Sequence, residues 1–150
     1  MLINTSLPNE ADWPPIALGV GCRRDCPPEA LRRLAMTTLA LAGLRPDQIT
    51  LVATLGGRQS EAAIASLAAE WHTPLMALPA EALRESEPDM SHVSDTVRRV
   101  HGVPGVAEAA ALAAIRRHTG APARLLVSRQ QCARATCALA VPVATAPTAE

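Results

Sequence analysis

A chain of 150 residues is long enough for one domain with a real core, and it carries no net formal charge. That balance removes any broad electrostatic case for nucleic acid or a membrane surface, and with Trp13 and Trp71 as the only aromatic residues there is no base-stacking platform for single-stranded nucleic acid. All 14 basic residues are arginine, so no lysine nucleophile or Schiff base is available.

Residues 1–15, rich in proline and polar side chains, show no period and read as an irregular arm without a secretory leader, which with the absence of a long apolar run points to a cytoplasmic protein. The short apolar run Ile16–Val20 reads as a buried strand that ends in the turn Gly19-Val20-Gly21-Cys22-Arg23-Arg24. A helix is expected from Pro27 to Ala42, with Cys26 as its N-cap, Leu31, Leu34, Thr38 and Leu41 on one face, and Gly43 ending it. A second strand, Ile49–Thr54, leads into the glycine-and-arginine turn Leu55–Gln59 and then a helix capped by Ser60 with Ile64, Leu67, Ala68 and Trp71 in register. A third strand at Leu75–Leu78 and a short helix at Ala80–Arg84 follow.

Glu85–His92 is polar and proline-broken and reads as a mobile loop; Val93–His101 reads as a short helix and Gly102–Gly105 as a turn. The alanines of Val106–His118 predict a strong helix, with Gly105 as N-cap, Glu108 at its third position and Gly120 past its end. Two apolar runs, Arg124–Ser128 and Ala135–Val141, flank a polar loop at 129–134 and read as a β-hairpin. Residues 142–150 have the composition of a disordered tail. The sum is a single small three-layer α/β domain over residues 16–141, with a mixed, mostly parallel sheet of about five strands and a C-terminal antiparallel hairpin.

Ligands of open parallel sheets bind outside the carboxyl ends of the strands. That edge gathers Gly19 to Arg24 and Gly56 to Arg58, a set suited to carboxylates or phosphates. A dinucleotide fingerprint fails, because Arg24 stands where the third glycine belongs and Thr54 where an acid would end the second strand. A P-loop fails for want of lysine. Cys22-x3-Cys26 and Cys132-x4-Cys137 are not zinc spacings, the four histidines are scattered, and no metal or other cofactor is expected. In a reducing compartment the four cysteines are expected to be free thiols. Cys22 is a candidate nucleophile whose pKa Arg23, Arg24 and the helix start would lower, though no histidine base is near in sequence and a structural or contact role ranks ahead. Glu108 is by default a capping-box carboxylate and alternatively a general acid or base.

Four segments, Gly19-Val20-Gly21-Cys22-Arg23-Arg24, Gly105-Val106-Ala107-Glu108-Ala109-Ala110-Ala111-Leu112, Ala123 to Arg129, and Ala135 to Ala140, come in the order and spacing of the CobE family. That family is similar to the C-terminal domain of CbiG, the cobalt-precorrin-5A hydrolase. The resemblance covers residues 16–141 and implies a protein of the aerobic cobalamin pathway. The expected ligand is a corrinoid or precorrin intermediate, rimmed by acetate and propionate groups. Gly19, Gly21, Cys22, Arg23, Arg24, Arg58, Glu108, Arg129 and Thr136 are the candidate contacts. CbiG relatives carry additional N-terminal sequence and open a lactone with release of acetaldehyde. A hydrolase using Glu108 or Cys22 is therefore the enzymatic alternative, and a non-catalytic partner of another pathway enzyme, touching it through Glu85–His92, is a third. The sequence sets no oligomeric state. The chain departs from the family pattern at Asp25-Cys26, where Gly-Thr is usual, at Gly105, where Ser is usual, and at Arg129, where Lys is usual.

Overall fold

The computed structural model describes residues 14–90 and 105–143. The expected helix Val93–His101, the turn before Gly105, most of the N-terminal arm and the end of the tail lie outside them.

Five strands form one sheet in the order β3-β2-β1-β5-β4. β1 (Ala17–Cys22), β2 (Leu51–Leu55) and β3 (Leu75–Leu78) pair in parallel. β5 (Ala135–Pro142) runs antiparallel to β1, and β4 (Ala123–Gln131) antiparallel to β5. Only β5 therefore opposes the common strand direction, as the hairpin reading requires. Helices α1 (Pro28–Leu41) and α2 (Ala62–Trp71) cover one face, and α3 (Ala80–Glu85) and α4 (Val106–Thr119) cover the other.

Strand alternation sorts the core into two halves. Leu18 and Val20 of β1, Val52 of β2 and Leu139 of β5 face Leu31, Leu34, Leu39 and Ile64 of the first helix pair. Ala17, Leu51, Ala53 and Ala140 face Leu83 and the alanines of α4. α4 is buried without interruption from Ala107 to Ile115, a stretch apolar on every side but for Glu108. Gly19 sets its distance from the sheet. A Cβ there would lie 1.9 Å from the Ala107 carbonyl oxygen and 2.7 Å from the Ala111 nitrogen.

The element boundaries differ from the sequence reading in ways that have local causes. β1 continues through Gly21 and Cys22, because β5 pairs Thr136 and Ala135 with them. The expected turn glycines are thus strand residues. Pro27, not Cys26, caps α1: a residue before proline is held out of the helical region, and Pro27 is extended with Pro28 after it. Cys26 is instead buried in the core. Glu61, not Ser60, precedes α2, since the turn bonds Arg58 N–H to Leu55 O and Glu61 N–H to Arg58 O carry the chain one residue further. Leu41 is 61% exposed, for the buried stripe of α1 runs through Leu31, Leu34, Ala35, Thr38 and Leu39 and leaves it outside. β4 takes in Arg129 to Gln131, read as loop, because register shifts after Leu125 and Val127 break the alternation a regular strand would show.

Residues 85–90 of the expected mobile loop are held in place. A 3-10 turn, Glu87–Asp89, follows α3. The buried Ser86 hydroxyl accepts a 2.5 Å bond from Arg116 Nη2, and Arg116 Nη1 lies 3.7 Å from Asp89 Oδ2.

Candidate functional site

The parallel strands deliver the ends of β1 and β2 to one edge of the sheet, and the antiparallel hairpin delivers its tip to the same edge. Two adjoining hollows open there. One, of about 330 Å³, is walled by Gly21, Cys22 and Arg23 of β1 and its turn, by Arg129 to Thr136 around the hairpin tip (Gln130 excepted), and by Gly105 and Val106 at the start of α4. The other, of about 340 Å³, is walled by Gly21 to Arg24, by Thr54, Leu55 and Arg58 after β2, and by Val106. Gly21, Cys22, Arg23 and Val106 are common to both, so the end of β1 forms a ridge between two lobes of one crevice.

Backbone and side-chain bonds fix the loops that carry the cations. Arg23 N–H donates to the Arg134 carbonyl at 2.9 Å, tying the arginine turn to the hairpin tip. Cys26 N–H donates to Arg23 O at 3.1 Å across a tight turn in which Asp25 holds φ +64°. Arg58 Nη2 donates to Cys22 O at 2.6 Å, and its Nη1 lies 3.6 Å from Glu61 Oε2. Arg58 is therefore positioned over the β1 end. The floor is small: a Cβ on Gly21 would come within 3.0 Å of Thr136 Oγ1 and 3.4 Å of Val106 Cβ. Thr54 is buried at the wall, its hydroxyl donating to Val20 O at 2.9 Å.

Gly21, Cys22, Arg23, Arg24, Arg58, Arg129 and Thr136 line the crevice. Gly19 does not: it lies beneath α4, where its missing side chain admits the helix. Glu108 does not line it either. The residue is 2% exposed, and its Oε2 accepts the Arg129 backbone N–H at 2.7 Å, joining the first turn of α4 to β4. The helix starts at Gly105 without a side-chain cap from that residue. Arg134, Gln131 and Cys132 at the hairpin tip are contacts that sequence reasoning missed. The polar tip was visible, but nothing local shows that β5 would pair with β1 and bring the tip to this edge.

The expected depression of the Cys22 pKa is reversed. Burial pushes the thiol up to about 11, with Cys26 and Glu61 adding to the rise and Arg58 opposing it. Desolvation outweighs the one opposing cation, Arg58, because Cys22 packs against the core. Burial raises Cys26 and Cys137 as well. All four cysteines are free thiols. Among the described residues no group of histidine, cysteine and acidic side chains is arranged to hold a metal ion. No helix among them is long and apolar enough to cross a membrane.

Fold and site together define a small three-layer α/β domain with an arginine-walled crevice at the strand ends. Residues 16–140 match the family described as Cobalamin synthesis G C-terminus. The chain is 37% identical over 127 residues to Protein CobE from a Sinorhizobium species, covering 85% of this chain and 80% of that protein. It superposes with a TM-score of 0.81 on the crystal structure of CobE, a protein from the cobalamin biosynthetic pathway, at 34% identity over 87% of this chain and 92% of that one. It also superposes, at 0.65 and 26% identity, on the cobalamin biosynthesis protein chiG of Agrobacterium tumefaciens, over 86% of this chain and 99% of that one. A cobalamin biosynthesis protein G homologue from Sulfolobus solfataricus shares the fold, at a TM-score of 0.64 and 20% identity, with 87% of this chain matching 37% of that one. The chain belongs to the family of the cobalamin synthesis G C-terminal domain, together with CobE, and is a cobalamin biosynthesis protein.

Proposed function

We propose that the crevice binds a polycarboxylate corrinoid or precorrin intermediate and carries it between enzymes of the pathway. The observation behind this reading is the gathering of Arg23, Arg24, Arg58, Arg129 and Arg134 around a floor of glycine, alanine, valine and threonine. Guanidinium forks suit acetate and propionate arms, and a small apolar floor suits the ring edge. Each lobe lies at the lower end of the range for ligand pockets. A macrocycle therefore lays its rim into the two lobes, with carboxylate arms on either side of the β1 ridge, and leaves much of its face outside. Such open, edge-on seating suits a molecule that must be handed on.

The lactone hydrolase alternative finds no support in the geometry of its two candidate groups. The Glu108 carboxylate is buried and bonded to backbone, and the Cys22 thiol stays protonated at neutral pH.

The test is a visible-absorption titration of the purified protein with cobyrinic acid. A saturable spectral shift is expected, weakened at least about tenfold in R23A, since one charge-assisted hydrogen bond contributes about 1.5–3 kcal/mol. Absence of a shift in the wild type overturns the reading.

A further inference from the structure

The guanidinium of Arg58 meets two oxygens, and the two contacts differ in kind. Its Nη2 donates to Cys22 O at 2.6 Å, joining residues 36 apart in the chain. That short hydrogen bond fixes where the group sits at the end of β1. Its Nη1 lies 3.6 Å from Glu61 Oε2. This second contact is too long for a hydrogen bond and acts through charge. The side chains are 33% and 20% exposed, so water screens the pair only in part.

Glu61 stands at the head of α2, yet its carboxylate makes no capping bond to the helix. Short side chains such as Ser, Thr, Asp and Asn are the ones suited to that bond. Arg58 lines the second lobe of the crevice and Glu61 does not, so the carboxylate lies beside the wall and outside the space a ligand would fill. Both charges are felt at the end of β1. After burial and Cys26, Glu61 pushes the Cys22 thiol up more than Arg58 pulls it down. At that sulfur Arg58 does not act as an uncompensated cation.

We propose that Glu61 is the counter-charge that sets how tightly the second lobe holds a carboxylate. It cancels part of the Arg58 charge without deciding where Arg58 sits, and so keeps binding reversible. This inference rests on the corrinoid reading of the crevice and deepens it. An arriving carboxylate arm meets a guanidinium already placed by Cys22 O, with its donors in position but its Coulombic pull reduced. A site trimmed in this way favours release, as a handed-on ligand requires. Removing the Glu61 charge leaves Arg58 in place and strengthens its attraction.

Wild type, E61Q, R58A and R58A/E61Q are titrated with cobyrinic acid near neutral pH and at low salt, followed by visible absorption, and release is timed after rapid dilution. E61Q is expected to bind about two- to fivefold tighter than the wild type, with slower release. The gain shrinks at high salt. In the R58A background the same change gains less than about 1.5-fold, because Glu61 acts through Arg58. A merely structural glutamate would leave binding unchanged or weaken it when replaced. Equal or weaker binding by E61Q, against a wild type that binds, overturns the inference and leaves the corrinoid reading standing. The full gain in the R58A background also overturns it, since Glu61 would then repel the ligand directly. No binding by any of the four proteins overturns both.

Discussion

At Gly19 a single methyl group is enough to displace a helix. Its Cβ would overlap the Ala107 carbonyl and crowd Ala111, both on α4 and neither able to swing away. G19A is expected to lower stability by about 1–3 kcal/mol or more through overpacking, read as a fall in the urea midpoint. Glu108 ties the same helix to β4. E108A removes the acceptor of the Arg129 N–H inside the structure and costs about 1–3 kcal/mol, whereas E108Q keeps an accepting oxygen and costs less. The order of the two urea midpoints checks it. The buried thiols set a limit at high pH. Their folded-state pKa values are raised, so the folded protein holds protons that the unfolded chain releases. This contribution is complete below about pH 9, the ordinary thiol value, and is lost as pH climbs toward 11, the value to which Cys22 is pushed. Stability measured from pH 8 to 11 should fall in that window, and less steeply in C22S.

Elements were legible where their signals were local. The α4 stretch announces itself through its alanines, Gly105 before it and Gly120 after it, and both glycines take the expected places, Gly120 at φ +73°. G120A should accordingly cost about 1 kcal/mol in a thermal or urea melt, the penalty of a side chain in the left-handed region. The hairpin was legible from two apolar runs, but its length was not, because the irregular register within β4 removes the alternation that marks a strand. The Pro27-Pro28 pair shows the same limit at a helix end. Proline signals the start, while the neighbour rule shifts it by one residue and sends Cys26 inward. Gly19 and Gly21 look like turn glycines in the sequence and are strand glycines in the structure. What distinguishes the two cases is a partner strand more than a hundred residues away, and no local pattern encodes that.

For the molecule as a whole, the order β3-β2-β1-β5-β4 is the decisive feature. It seats β5 beside β1, and so joins an arginine turn near the N-terminus, a second after β2 and a hairpin tip near the C-terminus at one edge. The first two were foreseeable from the rule for parallel sheets. The third depended on pairing between distant segments and added Arg134 and Gln131 to the wall. Because the chain carries no net charge, the proposed attraction for a polycarboxylate rests on this local concentration of guanidinium groups, screened at ionic strengths where the Debye length falls below the width of the crevice. Raising salt from 0.05 to 0.5 M, on the order of a tenfold increase, should therefore weaken corrinoid binding severalfold in the wild type and less in an R23A/R24A double variant. Both arginines are exposed, so the double variant is expected to unfold within about 0.5 kcal/mol of the wild type. The most direct measurement is the equilibrium titration of wild type and R23A/R24A with cobyrinic acid, followed by visible absorption. Saturable binding by the wild type, weakened at least about a hundredfold in the double variant with its stability intact, is the expected result; equal binding by the two proteins, or none by either, would contradict a carboxylate-binding crevice at the end of β1.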